Sequence, residues 1–179
     1  MSLTIVRWVF RFDRWHAAAP YCCRAYKQAV VQLANDLNPA VAVELGCGLG
    51  DIISRVRAQE RAGIDVDLRV IRAARFLHRK GRWVHGDGSC IPALFPAKPI
   101  DCLIMVNWIH ALTADELAAL ILPMLARVRY LIVDSIDPDA PKSYRSRHDF
   151  SFLAGRARRV SVLRVAAEPR TFMVFQTQA

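Results

Sequence analysis

The chain has 179 residues, 54% of them hydrophobic and 23% charged, the size and balance of one globular domain with a buried core, which excludes a disordered or fibrous chain. Its formal charge of +9 is compatible with a nucleic-acid partner, an anionic membrane or only an arginine-rich surface. No apolar run reaches the ~18 residues of a membrane span, because Pro123 interrupts Leu117 to Ala126, and Asn107 and His110 fall within Cys102 to Leu112.

The amino terminus spaces Trp8, Phe12 and Trp15 on one helical face and Arg7, Arg11 and Arg14 on another, with His16 and Tyr21 following. No small-residue cleavage site ends it, so it is not expected to be a signal peptide. A packed amphipathic helix, a lid over an acceptor and a membrane-surface helix all fit this pattern. Five scattered cysteines, without C-x2-C spacing, predict reduced thiols and a cytoplasmic setting, with adjacent Cys22 and Cys23 as packing residues.

A helix over Tyr21 to Leu37 is expected before the first strand, Ala40 to Leu45. Further strands are predicted at Ala62 to Val66, Arg82 to Gly86, Ile100 to Asn107 and Arg129 to Ser135, all short and mostly apolar. Helices are predicted between them at Asp51 to Gln59, Asp67 to Arg79 and Ala114 to Arg127, with Asp67 capping the second and Thr113, boxed with Glu116, the third. After Ser135 come a loop from Pro138 to Pro141, a short helix over Arg147 to Leu153, and a hairpin of Arg159 to Val165 with Thr171 to Gln176. The alternation predicts an α/β, doubly wound sheet in a single domain. Residues 1–39 form a lid or helical segment and 40–179 the sheet, with the ligand site at the carboxyl ends of the strands. Residues 140–179 carry +6 of the charge and the rest +3, either a solvated basic face or an attraction for an anionic partner.

The strongest local signal is the run from Val41 to Asp51, V-A-V-E-L-G-C-G-L-G-D, in which a strand enters a glycine-rich turn. Such a turn lets backbone amides approach a ligand closely. Asp65 lies 19 residues after Gly46, where a carboxylate can accept hydrogen bonds from ribose hydroxyls. A dinucleotide and an adenosyl ligand both fit these two features. The spacing Gly46, Gly48, Gly50 is G-x-G-x-G rather than G-x-G-x-x-G, and Glu44 would repel a pyrophosphate but suits a sulfonium and an amino group. Both details favour the adenosyl ligand. Asp51 reads either as a second contact to it or as a carboxylate at a helix amino terminus.

Glu44-Leu-Gly-Cys-Gly-Leu-Gly50 resembles the first motif of the class I S-adenosylmethionine-dependent methyltransferases. In order along the chain, Gly63-Ile-Asp65 resembles that family's ribose-binding acid, Gly86-Asp87-Gly88 the position that meets the adenine, and Ile100 to His110 the fourth-strand motif beside the methyl group. The resemblance spans roughly residues 40 to 176. It implies a Rossmann-like sheet of seven strands, mostly parallel, with an antiparallel terminal hairpin strand. It also implies S-adenosylmethionine as cofactor, held by Glu44, Gly46, Cys47, Gly48, Gly50, Asp65, Val66, Asp87, Gly88 and Asn107.

The acceptor is narrowed by what is missing. The fourth strand ends Asn-Trp-Ile-His, not the Asn/Asp-Pro-Pro-aromatic pattern of enzymes that methylate base amino groups, and no Pro-Cys nucleophile is present. Asp134 is the sole acid where metal-dependent members hold a cluster, so metal-independent transfer is expected. An oxygen on a small metabolite or glycan precursor is the expected acceptor, with His110 and His148 as candidate bases and Asp149 as a possible orienting partner of His148. The rivals are RNA methylation drawn by the basic carboxyl-terminal region, a non-catalytic S-adenosylmethionine-binding partner protein and a nicotinamide-dependent oxidoreductase.

Overall fold

Seven strands form one sheet in the order β3-β2-β1-β4-β5-β7-β6. They are β1 (Val41–Leu45), β2 (Glu60–Asp65), β3 (Arg82–His85), β4 (Ile100–Met105), β5 (Val128–Ile136), β6 (Ala157–Arg164) and β7 (Arg170–Thr177). The first five are parallel and β7 runs antiparallel between β5 and β6. This is the sheet expected from the sequence. The computed structural model describes residues 2–140, 144–166 and 168–178; Pro141 of the predicted loop and Lys142 of the basic segment lie outside them.

Side-chain alternation divides the core into two layers. Ala42, Cys102, Ile104, Ile132 and Val174 face α2 (Ala25–Asp36) and α3 (Leu68–Leu77). Val43, Leu103, Met105, Leu131, Val133 and Met173 face α4 (Ile91–Leu94) and α5 (Ala114–Ile121). Asp67 caps α3 by accepting from the Arg69 amide at 2.8 Å, and Thr113 with Glu116 closes a reciprocal box on α5. An amino-terminal helix, α1 (Leu3–Phe10), buries Val6 against Val70 and Ala73 of α3.

Several local expectations are corrected. Asp51 to Gln59 is no α-helix; it contains one tight turn, Ile53–Arg55. Only nine residues separate Gly50 from β2, too few for both a helix and the connections that return the chain to the start of the next strand. The helix predicted over Tyr21 to Leu37 begins at Ala25, after a separate turn at Tyr21–Cys23, and this turn leaves Cys22 and Cys23 exposed rather than packed. The helix predicted over Ala114 to Arg127 is α only to Ile121. It continues as a 3-10 segment, Leu122–Arg127, because Pro123 supplies no amide hydrogen. The short helix expected over Arg147 to Leu153 is a turn at Ser151–Leu153.

The aromatic face predicted for the amino terminus is also broken. Arg11 takes a left-handed conformation (φ 57°) and ends α1, donating its amide to the Arg7 carbonyl at 2.7 Å. Phe12 is thereby turned into the core while Trp8 and Trp15 stay exposed. The basic carboxyl-terminal region divides as well. Arg158 and Arg159 stand exposed on β6, the edge strand, where charge discourages the addition of another strand. Arg164 pairs with Asp137 at 2.7 Å, and Arg170 is buried.

No helix of the described residues is long and apolar enough to cross a membrane.

Candidate functional site

The strand order reverses between β1 and β4, so the crevice at their carboxyl ends is where an open α/β sheet takes its ligand. β1 delivers Glu44 and then the glycine turn. The amides of Gly46 and Cys47 donate to the Ile64 carbonyl at 2.8 and 3.0 Å, which locks the turn onto β2. Gly46 has φ 73°, and a Cβ there would meet the Trp108 ring at 2.2 Å; no other residue fits. The Trp108 indole donates to the Leu45 carbonyl at 2.6 Å and lies across the crevice.

Two cavities flank this point. The larger holds about 960 Å³ of empty space, open mouth included, within the range of small-molecule sites. It is lined by Asp65, Val66, Gly86, Asp87 and Gly88 with apolar Leu112 and Leu120. The smaller runs under the glycine turn past Glu44, Gly46, Cys47, Gly48 and Asn107 to Arg24, Tyr26 and Lys27. Trp15, His16, Gly46 and Trp108 line both.

The acids differ in how they are held. Asp65 accepts from the Gly48 amide at 2.8 Å and from the Asp67 amide at 3.0 Å, so it ties the turn to the end of β2. Glu44 is buried and accepts a 3.0 Å bond from the Ile53 amide, and burial pushes its carboxyl up to about 8. Asp87 is exposed at the rim and accepts from the Ser89 amide and hydroxyl at 2.9 and 2.6 Å, which hold it below the usual carboxylate range. Asp51 lines the smaller cavity paired with Lys27 at 2.6 Å.

The histidines divide unexpectedly. His110 is buried, with its Nε2 3.2 Å from Asp134 and its ring edge-on to Tyr144. His148 stacks on His110 at 5.7 Å and donates from Nε2 to the Ile109 carbonyl at 3.0 Å. Neither lines either cavity. Asp149 does not hold His148; it accepts from the Ser151 amide at 2.9 Å. His16 lines both cavities instead, buried over Gly48 and stacked on Trp15 at 3.5 Å, and burial lowers its pKa against the opposing pull of Asp65 and Asp67.

Behind Asn107 lies a buried ionic network absent from the sequence reading. Asp134 accepts from the Asn107 amide at 2.8 Å and from Arg170 at 3.1 Å. Arg170 also donates to the Asn107 side-chain oxygen at 3.0 Å and the Tyr144 hydroxyl at 2.7 Å. Asn107 is thereby held at φ 75°, a conformation few residues adopt without support. Arg170 had one sequence signal. It follows Pro169 at the start of an antiparallel strand, and such a strand begins where its parallel neighbours end.

Among the described residues, no group of three or more His, Cys, Asp or Glu side chains is placed to hold a metal ion. None of Arg156, Arg158, Arg159 and Arg164 lines either cavity.

No protein-family model matches the sequence, and no curated protein matches it. Solved structures do match the fold. N-methyltransferase NodS from Bradyrhizobium japonicum WM9, in complex with S-adenosyl-L-homocysteine, is similar over 98% of both chains at 14% identity, with a TM-score of 0.74. Magnesium protoporphyrin IX methyltransferase (ChlM) from Synechocystis PCC 6803, with bound SAM, is similar over 86% of this chain and 80% of that one, at 14% identity and a TM-score of 0.64. A TehB-like SAM-dependent methyltransferase from Corynebacterium glutamicum ATCC 13032 is similar over 87% and 89%, at 15% identity and a TM-score of 0.62. The chain has the class I S-adenosylmethionine-dependent methyltransferase fold.

Proposed function

We propose that the protein is an S-adenosylmethionine-dependent methyltransferase acting on an oxygen of a small acceptor, such as a metabolite or glycan precursor. One observation carries the reading: Glu44, the Gly46 to Gly50 turn, Asp65 and Asp87 fall in order along one crevice at the point where the strand order reverses. The residues fit the cofactor. A buried carboxyl at the foot of the crevice suits a cationic ligand, and Asp65 at the end of β2 suits a ribose. Asp87 and Gly88, with Leu112 and Leu120, make a half-apolar slot for a purine.

S-adenosylmethionine supplies a methyl group on positively charged sulfur. The protein's own task is then alignment, exclusion of water and removal of a proton. Gly46, Cys47, Gly48, Val66 and Asn107 shape the cofactor wall, and Gly50 closes the turn against the Trp83 ring. Trp15 and Trp108 exclude solvent between the two cavities. His16, at the junction of the two cavities, would take the proton of an acceptor hydroxyl. Burial keeps this imidazole neutral near pH 7 and so ready to take a proton. We assign His110 and His148 to a positioning role behind Asn107. Arg24, Tyr26 and Lys27 bound the space left for the acceptor.

Calorimetry with S-adenosylhomocysteine and, separately, NADH tests the reading. Binding of the first alone is expected; binding of NADH alone, or of neither, overturns it. Among acceptors that are turned over, His16→Ala lowers kcat with little change in S-adenosylhomocysteine affinity.

A further inference from the structure

α1 is apolar around most of its circumference. Val6 packs inward on α3, while Ile5, Trp8 and Val9, turned away from α3, are 55%, 82% and 64% exposed. Residues three and four apart share a helix face, so these three form one continuous outer stripe. Phe76 of α3, also largely exposed, lies against Phe10 with ring centroids 5.6 Å apart. A monomeric protein seldom leaves a tryptophan-centred stripe of this kind in water unless something covers it.

The rim of the stripe is cationic. Residues 2–12 contain Arg7 and Arg11 and no acid, and Arg14 follows. On α3 and just beyond it, Arg72, Arg79 and Lys80 are exposed. Arg7, Trp8, Arg11, Phe12 and Asp13 line a shallow hollow at the end of α1, and the Nε of Arg7 is buried without a hydrogen-bond partner. Two guanidinium groups against one carboxylate beside an apolar stripe make a site for phosphate next to hydrocarbon. A second copy of the chain fits poorly, because a two-fold contact through this face sets the same arginines against one another.

We propose that this face docks the protein on an anionic bilayer. Ile5, Trp8 and Val9 enter the boundary between headgroups and acyl chains, and Arg7, Arg11 and Arg14 contact lipid phosphates. Asp13 belongs both to the hollow and to the larger cavity of the crevice, so the docking face adjoins the crevice. The inference stands apart from the proposed methyl transfer and is tested apart from it.

The full chain is floated on a density gradient with vesicles of phosphatidylcholine alone, or of phosphatidylcholine and phosphatidylglycerol in equal parts. Recovery with the anionic vesicles at low salt, falling as salt is raised, is expected, with little recovery on phosphatidylcholine alone. A Trp8→Asp, Val9→Asp double variant lowers anionic recovery by about tenfold or more with unchanged circular dichroism. Arg7→Gln with Arg11→Gln removes the preference for anionic vesicles. Absence of flotation overturns the proposal, as does flotation that the double variant leaves unchanged. Sedimentation separates the remaining case: concentration-dependent dimers abolished by the double variant, without flotation, assign the face to a second copy and refute bilayer docking.

Discussion

The two halves of the sheet's carboxyl edge are built on opposite plans. On the side of β1, β2 and β3, acids line the two cavities: Glu44 is buried at the foot of the crevice, Asp65 stands along the larger cavity, and Asp87 is exposed at its rim. On the side of β4, β5 and β7, Asp134 is fully buried and spends its oxygens on Asn107 and Arg170, while Arg170 reaches on to Tyr144. The first half keeps polar capacity in reserve for a ligand. The second turns its carboxylate inward onto protein partners and forms the wall behind Asn107. The difference lies in where partners come from, since both halves use carboxylates at the ends of parallel strands.

Removing the wall's cation is the most direct way to break this contrast. Arg170→Ala leaves the buried Asp134 with only the Asn107 amide and the His110 imidazole beside it and is expected to cost about 3–5 kcal/mol of stability, read by urea unfolding; a loss typical of a surface arginine would show that the network is ornamental. On the open side, Asp65→Ala is expected to weaken S-adenosylhomocysteine binding by about 1–3 kcal/mol through lost charge-assisted bonds. Calorimetry checks it, and unchanged affinity would move the ribose site elsewhere.

Glu44 sharpens the comparison through pH. Its folded-state pKa of about 8 lies above the ordinary 4.5, so between those values the folded protein holds a proton that the unfolded chain has released. Stability therefore falls as pH rises through that window and levels off above about 8. Glu44→Gln flattens the fall, and a slope unchanged in the variant would assign it to another group. The mildest change touches neither half: Thr113→Ala removes the cap of α5 and is expected to cost about 1 kcal/mol, with S-adenosylhomocysteine affinity preserved.

What was legible in the sequence was local. The central strands β1, β4 and β5 showed because they are mostly buried on both faces, and the open half showed because its residues come in short runs, Glu44 to Gly50, Gly63 to Asp65 and Gly86 to Gly88. The caps at Asp67 and Thr113 act within three residues of themselves. The closed half was hidden because it is assembled over distance: Arg170 meets Asp134 through the antiparallel register that pairs Arg170 with Ile136. His16 was obscured differently. The left-handed residue Arg11 redirects the chain and brings this imidazole over Gly48, and no apolar period encodes that turn. His110 follows the fourth strand as expected, yet its side chain turns into the network rather than the crevice.

The cysteines carry a practical consequence. Cys22 and Cys23 lie side by side on the surface, sulfurs 3.8 Å apart, between the turn that bears His16 and α2. Cys47 and Cys102 are buried, and burial holds both thiols protonated far above the working range. A thiol-reactive dye therefore attaches at the exposed pair ahead of the buried thiols. The segment that walls the crevice thus carries a native attachment point, from which fluorescence can follow that wall without an engineered cysteine.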